Sequence, residues 1–182
     1  MQGKIIGQMN ALGFSAKEEA TLTALTLDVV KSSEIEGEML NYDQVRSSIA
    51  RRLGINTAGL VPGSRHIEGV VEMMLDATQR YNLPLTEKRL FGWHAALFPT
   101  GHSGPYEIEV GKYRTGKMQV VSGAMGKEKV HYEAVKPESV KAEMDKFIEW
   151  FNDDNTLDPV LKAAIAHFWF IIIHPFDDGN GR

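Results

Sequence analysis

Cysteine is absent from the 182 residues of this chain. A disulfide framework, a thiol nucleophile and a cysteine-ligated metal site are therefore excluded. The first ten residues, Met1 to Asn10, also lack the long apolar run of a secretory signal. The composition is compatible with a reducing compartment, and we expect a cytoplasmic protein.

Long hydrophobic runs and an excess of basic charge are lacking as well. The most apolar stretch, Ala163–Ile173, is too short to span a bilayer and contains His167, so we expect no membrane partner and interpret the stretch as a buried helix. Lys and Arg number 20 against 24 Asp and Glu, a net charge of -4. This balance argues against a broad phosphate-binding surface, and we expect no nucleic-acid partner.

Amphipathic periodicity is abundant and predicts helices along most of the chain. The first helix carries Leu22, Leu25 and Val29 on one stripe. Further helices are predicted from Asn41 to Gly54, from Ser64, from Thr86 to just before Pro99, from Pro137 and from Pro159 to Ile173. The helix from Pro137 is expected to bury Val140, Met144, Phe147, Ile148 and Phe151.

The character of the chain changes between Gly101 and Pro137, where glycine and proline interrupt the helical pattern. Residues that favour strands cluster in Met118–Val121 and again in Lys129–Tyr132, on either side of a glycine-containing turn. This arrangement predicts a β-hairpin. The expected fold class is therefore all-α, a helical bundle with one small β-hairpin inserted.

The segment His174–Arg182, which we call the C-terminal loop, has residue types suited to holding an anion. Gly179, Asn180 and Gly181 tolerate positive φ, so their successive N–H groups can surround a phosphate. A helix that begins at or just beyond this bend would add the attraction of its N-terminal dipole. Arg182 can donate two parallel hydrogen bonds to a phosphate group.

Two further residues of the C-terminal loop suit phosphoryl chemistry. His174 has an intrinsic pKa that allows it to accept a proton from an attacking hydroxyl near neutral pH. Asp178 offers a hard oxygen ligand for Mg²⁺. Phe176 is expected to anchor the loop in the core. Each residue alone could belong to an ordinary turn or helix end, but their combination favours a functional site.

The C-terminal loop has the sequence HPFDDGNGR, which resembles the signature of the Fic-domain family, HPFx(D/E)GNGRxxR, at every position present. The resemblance continues through Gly111–Arg114 and the predicted hairpin. It implies a helical bundle with a hairpin flap over the active site. It also implies an enzyme that transfers AMP from ATP to a Ser, Thr or Tyr hydroxyl of a target protein, using Mg²⁺.

The same resemblance assigns roles to individual residues. His174 would be the general base and Asp178 the Mg²⁺ ligand. Gly179, Asn180 and Gly181 would form the phosphate cradle, with Arg182 as a phosphate clamp. The flap strand, Met118, Gln119, Val120 and Val121, would pair with an extended segment of the target through backbone hydrogen bonds.

The family signature contains one more arginine, three positions after Arg182 and beyond the last residue of this sequence. The helix that would help to bind phosphate lies beyond it too. We therefore expect a Fic core that is truncated after the C-terminal loop. A chain that stops at Arg182 is expected to have little or no activity.

A second motif lies near the N-terminus. Continuing the stripe of the first helix by the same spacing gives Ser32 and Glu36, although the spacing alone slightly favours a solvated Glu36 beyond the core. The segment Ser32–Gly37 resembles the family's inhibitory motif, (S/T)xxxE(G/N), carried on a helix before the core. By this resemblance Glu36 pairs with the final arginine and obstructs the γ-phosphate of ATP. We accordingly divide the chain into an N-terminal helical segment, residues 1–54, and a Fic core, residues 55–182.

Several alternatives are left open by the sequence. The transferred group could be UMP, phosphate or phosphocholine instead of AMP, or the enzyme could remove AMP. A different class is a non-catalytic module that senses nucleotide or binds a protein partner. A homodimer is also left open.

Overall fold

The computed structural model describes residues 14–55, 59, 61–123, 127, 129–153 and 157–182. The helices are α1 (Phe14–Ile35), α2 (Tyr42–Leu53), α3 (Arg65–Gln79), α4 (Glu87–Leu97), α5 (Pro137–Asn152) and α6 (Pro159–Ile173). The strands are β1 (His102–Ser103), β2 (Tyr106–Glu107), β3 (Gln119–Ser122) and β4 (Lys129–Glu133). Because the strands form only two small antiparallel pairs, the predicted all-α fold with a hairpin is confirmed. The chain divides into two compact units, Met1–Asp76 and Ala77–Arg182.

Capping residues fix the helix ends close to the predicted positions. The Asn41 side chain accepts a hydrogen bond from the N–H of Gln44 at 3.0 Å and caps the start of α2, and Gly54, with a φ of 69°, caps its end. Thr86 caps α4 in the same way, through the N–H of Arg89 at 3.2 Å. Both α5 and α6 begin at a proline, which has no N–H to leave unsatisfied in the first turn.

The first unit buries one stripe of each of its helices. The buried apolar residues are Leu22, Leu25 and Val29 of α1, Val45, Ile49 and Ala50 of α2, and Ile67, Val70, Val71 and Leu75 of α3. The predicted α1 stripe is therefore confirmed. α1 and α2 pack against each other within this unit.

The buried stripe of α1 does not continue through Ser32 and Glu36, and Glu36 is solvated, as the spacing alone slightly favoured. Both residues are exposed, and Ser33 takes the buried position instead. The buried face includes Thr26 and follows the steps Thr26, Val29 and Ser33, which match the 3.6-residue period better than a step to Ser32. The α-helix also ends before Glu36, because the N–H of Glu38 donates to the Ser33 carbonyl in a closing turn.

The second unit has an aromatic core between α4, α5, α6 and the C-terminal loop. Its buried residues are Leu85, Leu90, Val140, Met144, Phe147, Ala166, Ile173 and Phe176. The Phe147 ring lies 5.7 Å from the Trp169 ring in an edge-on contact. Phe151, predicted to be buried, is 37% exposed, because it lies in the last turn of α5, where it lines a cavity together with Trp93 and Phe170.

The interpretation of Ala163–Ile173 as a buried helix holds for only one side of α6. Ala166 and Ile173 are buried, but Leu161, Ile165 and Phe168 form a second stripe that is exposed. α6 is apolar on every side, and its described neighbours in the second unit cover only the side facing the core. Across the described residues, no helix combines the length and hydrophobicity needed to cross a membrane.

The predicted hairpin is the pair β3–β4, which we call the flap. Val120 is paired with Tyr132 and Val121 with Val130, so a bulge interrupts the register between Val120 and Val121. The first strand begins at Gln119, one residue later than predicted. The sequence did not reveal the second pair, β1–β2, whose strands have two residues each.

Candidate active site

His174 ends α6 in an unusual backbone conformation. Its φ of 51° and ψ of 62° make it the one non-glycine residue with positive φ in the described chain. Its N–H still donates to the Phe170 carbonyl at 2.9 Å, so the chain turns sharply out of the helix at this residue. Such a conformation disfavours an L-residue by about 1–2 kcal/mol and requires support from the surroundings.

The environment of the His174 ring favours its neutral form. Burial lowers the pKa of His174, and the charge of Arg114 acts in the same direction. A hydrogen bond with the backbone of Ile171 and the carboxylate of Asp178 oppose this shift but do not reverse it. A neutral imidazole near pH 7 is the form that can accept a proton.

Phe176 and Asn180 hold the bend of the C-terminal loop together. The Phe176 ring stacks on His94 with ring centroids 4.2 Å apart, and the side chain is 4% exposed. Asn180 is buried, and its side chain accepts a hydrogen bond from the Phe176 N–H and donates one to the Phe176 carbonyl, each at 2.9 Å. The expected anchoring role of Phe176 is confirmed, and the Asn180 side chain serves to close the bend.

Gly179 lies where the loop comes closest to its scaffold. It has a φ of 77°, and a Cβ atom added here would lie 2.7 Å from Cε2 of Phe98. Asn180 and Gly181 can tolerate positive φ, but neither adopts it. The N–H of Phe176 is used by Asn180, and that of Gly179 donates to Asp178 Oδ1 at 2.6 Å. Within the described chain, the N–H groups of Asn180 and Gly181 donate to no protein acceptor and are therefore the donors suited to an anion.

His94 supports the loop from α4. The Gly111 N–H donates to His94 Nδ1 at 3.0 Å, so Nε2 carries the proton of the neutral ring and can donate to the Asp178 carbonyl at 3.2 Å. Burial lowers the pKa of His94, against the hydrogen bond to Asp178 and the charges of Asp177 and Asp178. Nothing in the sequence spacing of His94 indicated this contact with the C-terminal loop.

Asp178 has a position suited to holding Mg²⁺ together with a substrate. Its Oδ2 accepts a hydrogen bond from the Ser103 hydroxyl, and its Oδ1 accepts the Gly179 N–H. Both bonds orient the carboxylate and leave lone pairs on each oxygen. No group of three or more acidic or histidine ligands occurs in the described chain. Mg²⁺ is commonly bound by one or two carboxylates plus substrate phosphates and water, so the residues present fit this ion only when a phosphate completes its shell.

Arg182 lies at the end of the loop, with its guanidinium carbon 5.6 Å from the centroid of the Phe98 ring. Its N–H donates to the Gly179 carbonyl at 3.3 Å. The structure thus brings together, on one short bend, His174, Asp178, the Gly179–Gly181 backbone and Arg182. Ser32 and Glu36 belong to the other unit.

The second unit is a helical bundle whose glycine-lined bend combines an imidazole, a carboxylate and a guanidinium, and this combination makes the bend a candidate anion-binding site. Comparison with family models gives the class its name. The model described as Fic/DOC family matches residues 84–182, more than half of the chain. A second model, a domain of unknown function designated DUF4172, matches residues 1–55. The chain belongs to the Fic/DOC family, as the resemblance of the C-terminal loop predicted.

Curated relatives are similar over most of this chain. Protein adenylyltransferase fic-1 of Caenorhabditis elegans is 30% identical over 167 residues, which cover 86% of this chain and 29% of the relative. Protein adenylyltransferase Fic of Drosophila grimshawi is 29% identical over 180 residues, covering 97% of this chain and 34% of the relative. The chain spans about a third of the length of these relatives.

Solved structures share the fold. A Fic-domain-containing signalling protein from Bacteroides thetaiotaomicron is 27% identical with a TM-score of 0.67, and the match covers 97% of this chain and 65% of that structure. Fic-1 from C. elegans is 26% identical with a TM-score of 0.57, covering 97% of this chain and 50% of the other.

Proposed function

We propose that this protein is an adenylyltransferase that moves AMP from ATP to a hydroxyl group of a target protein. The observation that carries the proposal is the C-terminal loop, where His174, Asp178 and Arg182 lie on one bend and the N–H groups of Asn180 and Gly181 donate to no acceptor among the described residues. The names of the relatives support the same reaction.

The proposed step is an in-line displacement at the α-phosphorus of ATP. His174 accepts the proton of the target hydroxyl as the hydroxyl oxygen bonds to phosphorus. The bond from the α-phosphorus to its bridging oxygen breaks, and pyrophosphate leaves. Mg²⁺, when bound by Asp178, would neutralise charge on the phosphates. The N–H groups of Asn180 and Gly181 and the Arg182 side chain hold phosphate oxygens.

The flap supplies a docking surface for the target in this proposal. It has only two strands, so the outer edge of β3 pairs with no other strand of the described chain. An extended target segment can add to this edge by backbone hydrogen bonds, which would place its hydroxyl opposite the α-phosphorus. Met118, Gln119, Val120 and Val121 are the proposed docking residues.

The test of the reaction is His174→Ala in the full-length protein, incubated with target and labelled ATP. We expect transfer to fall by about 10²–10⁴-fold, because the general base is lost. ATP affinity, measured by calorimetry with Mg²⁺, should stay within a few-fold. Unchanged transfer would refute the assignment of His174. Parallel incubations with UTP, GTP and CDP-choline decide whether AMP is the group transferred.

We also propose that Glu36 inhibits the enzyme, on the strength of the motif Ser32–Gly37. A carboxylate placed beside a triphosphate repels it and displaces the γ-phosphate. Glu36→Gly should raise labelling of the target or of the protein itself. The matched control is Glu34→Gly, since Glu34 is exposed at the same helix end and pairs only with Lys31 among the described ion pairs. Equal labelling by both variants and the unmodified protein would contradict the inhibitory role.

A non-catalytic module that senses nucleotide is the second candidate function. The tightly built bend favours nucleotide binding in either case, but a pure sensor has no need for a base with a lowered pKa at His174. Such a module would bind ATP and show no transfer in any arm of the experiments above, including the Glu36→Gly variant.

A further inference from the structure

Arg114 is the largest of the fully buried side chains, with 2% of its surface exposed. Its guanidinium is not within ion-pair distance of a carboxylate in the described part of the chain. Burying such a charge is unfavourable unless its N–H groups are satisfied by hydrogen bonds. The position of Arg114 therefore depends on the groups that accept its protons, and burial lowers its pKa while the charge of Asp177 opposes this shift.

One set of acceptors lies where α6 ends and the C-terminal loop begins. Arg114 Nε donates to the His174 carbonyl at 2.6 Å, and Nη2 donates to the Ile173 carbonyl at 3.3 Å. The backbone N–H of Arg114 donates to the Pro175 carbonyl at 2.9 Å. Three consecutive carbonyl groups are thus held by one residue, at the point where His174 adopts positive φ.

The acceptors on the other side belong to the two ends of the flap. Arg114 Nη1 donates to the Gly116 carbonyl at 2.7 Å, just before β3, and Nη2 also donates to the Val135 carbonyl, just after β4. A further hydrogen bond joins the flap to α6, because the Tyr132 hydroxyl donates to the Ile172 carbonyl at 2.5 Å.

We propose that Arg114 is a positioning residue that fixes the base of the flap relative to His174, and so sets the distance between a docked target hydroxyl and the catalytic base. The proposal rests on the proposed function for its catalytic consequence, but the mechanical link itself does not. The planar fork of arginine is essential, since a lysine has one nitrogen and cannot reach carbonyl groups on both sides.

The experiment compares Arg114→Lys with Arg89→Lys in the full-length protein. Arg89 is a matched control, because its guanidinium also donates to backbone carbonyls, those of Leu83 and Arg80, and none of these belongs to the flap or the C-terminal loop. Hydrogen exchange is measured at the Ala134 N–H, which bonds to the Met118 carbonyl at the base of the flap. We expect faster exchange there in Arg114→Lys and no change in Arg89→Lys.

Transfer kinetics provide the second readout. A displacement of about 1 Å at the reacting atoms lowers rates by about 10²-fold, so we expect kcat for target modification to fall by that order in Arg114→Lys. The KM for the target should rise, and the affinity for ATP should change by less than about threefold, because the bend at Asn180 and Gly181 is not held by Arg114. Loss of ATP affinity in proportion to kcat would indicate a general structural role and overturn the proposal.

Tyr132→Phe keeps the proposal testable if Arg114→Lys does not fold. It removes only the second tie of the flap and should raise exchange at Ala134 and raise the target KM, with ATP affinity unchanged. Unchanged exchange at Ala134 in both variants would refute the link. If exchange responds but His174→Ala leaves transfer intact, the link stands and the proposed reaction fails.

Discussion

Replacing Gly179 by alanine should damage the C-terminal loop by two separable physical effects. The first is the backbone, because Gly179 has a φ of 77° and alanine is disfavoured there by about 1–2 kcal/mol. The second is contact with Phe98, since the new Cβ would lie 2.7 Å from Cε2 and 3.1 Å from Cζ of that ring. Overpacking of this kind destabilises by about 1–3 kcal/mol.

The ring of Phe98 has little freedom to move away. It is 5% exposed, and its centroid lies 5.1 Å from that of His94. We therefore expect Gly179→Ala to lower the free energy of unfolding by about 2–5 kcal/mol, the sum of the two effects. The substitution should also abolish ATP binding, because it would displace the neighbouring N–H groups of Asn180 and Gly181.

Gly101→Ala is the control that isolates the backbone effect. Gly101 has a φ of 75°, nearly that of Gly179, and an added Cβ would meet nothing within 4 Å. Gly101→Ala should therefore lower the free energy of unfolding by only about 1–2 kcal/mol. Urea unfolding followed by tryptophan fluorescence measures both variants, since Trp93, Trp150 and Trp169 all lie in the same unit as Gly179. Equal decreases in the free energy of unfolding in the two variants would refute the steric argument. The steric argument would also fail if adding Phe98→Leu to Gly179→Ala restored none of the lost free energy of unfolding.

Two further predictions concern pH. The rate of transfer should rise with pH through an apparent pKa below 6.5, the ordinary value for histidine, because burial stabilises the neutral form of the His174 ring; a pH–rate profile with its inflection above 6.5 would contradict this. The second prediction concerns the free energy of unfolding, which should decline as pH falls below 6.5. Burial lowers the pKa of His94 in the folded state, so below this pH the unfolded chain binds a proton that the folded protein does not. The slope for this one group should reach at most about 1.4 kcal/mol per pH unit. Urea midpoints at pH 7.5 and 5.5 should differ less in His94→Gln than in the unmodified protein, and equal differences would exclude His94 as the cause.

Much of the fold could be predicted from local sequence signals. Asn41, Gly54 and Thr86 act through hydrogen bonds and backbone angles within a few residues, so these helix ends could be predicted from local sequence. The flap was predictable for the same reason, from strand-forming residues around a glycine turn. The loop residues His174, Asp178 and Arg182 are contiguous in sequence, which made the candidate site visible before its geometry was known.

The supporting contacts could not be predicted because they join residues far apart in the chain. His94 and Asp178, like Ser103 and Asp178, meet only after α4 and the C-terminal loop pack on Phe176. The exposure of Phe168 was missed for a related reason, since hydrophobicity does not say which side of an apolar helix its neighbours cover. The sequence did not show that Ser33, and not Ser32, is buried, because a three-residue step and a four-residue step from Val29 fit the pattern equally well until Thr26 is known to be buried.

The way Arg114 binds the flap has a consequence for engineering. Arg114 donates hydrogen bonds to the main-chain carbonyls of Gly116 and Val135, so these contacts do not depend on which side chains the intervening strands carry. If the flap docks the target as proposed, the stretch between those two residues should be exchangeable between family members. Chimeras that import this stretch from other family members, with tyrosine kept at position 132, should inherit the donor's choice of target and retain the recipient's nucleotide chemistry.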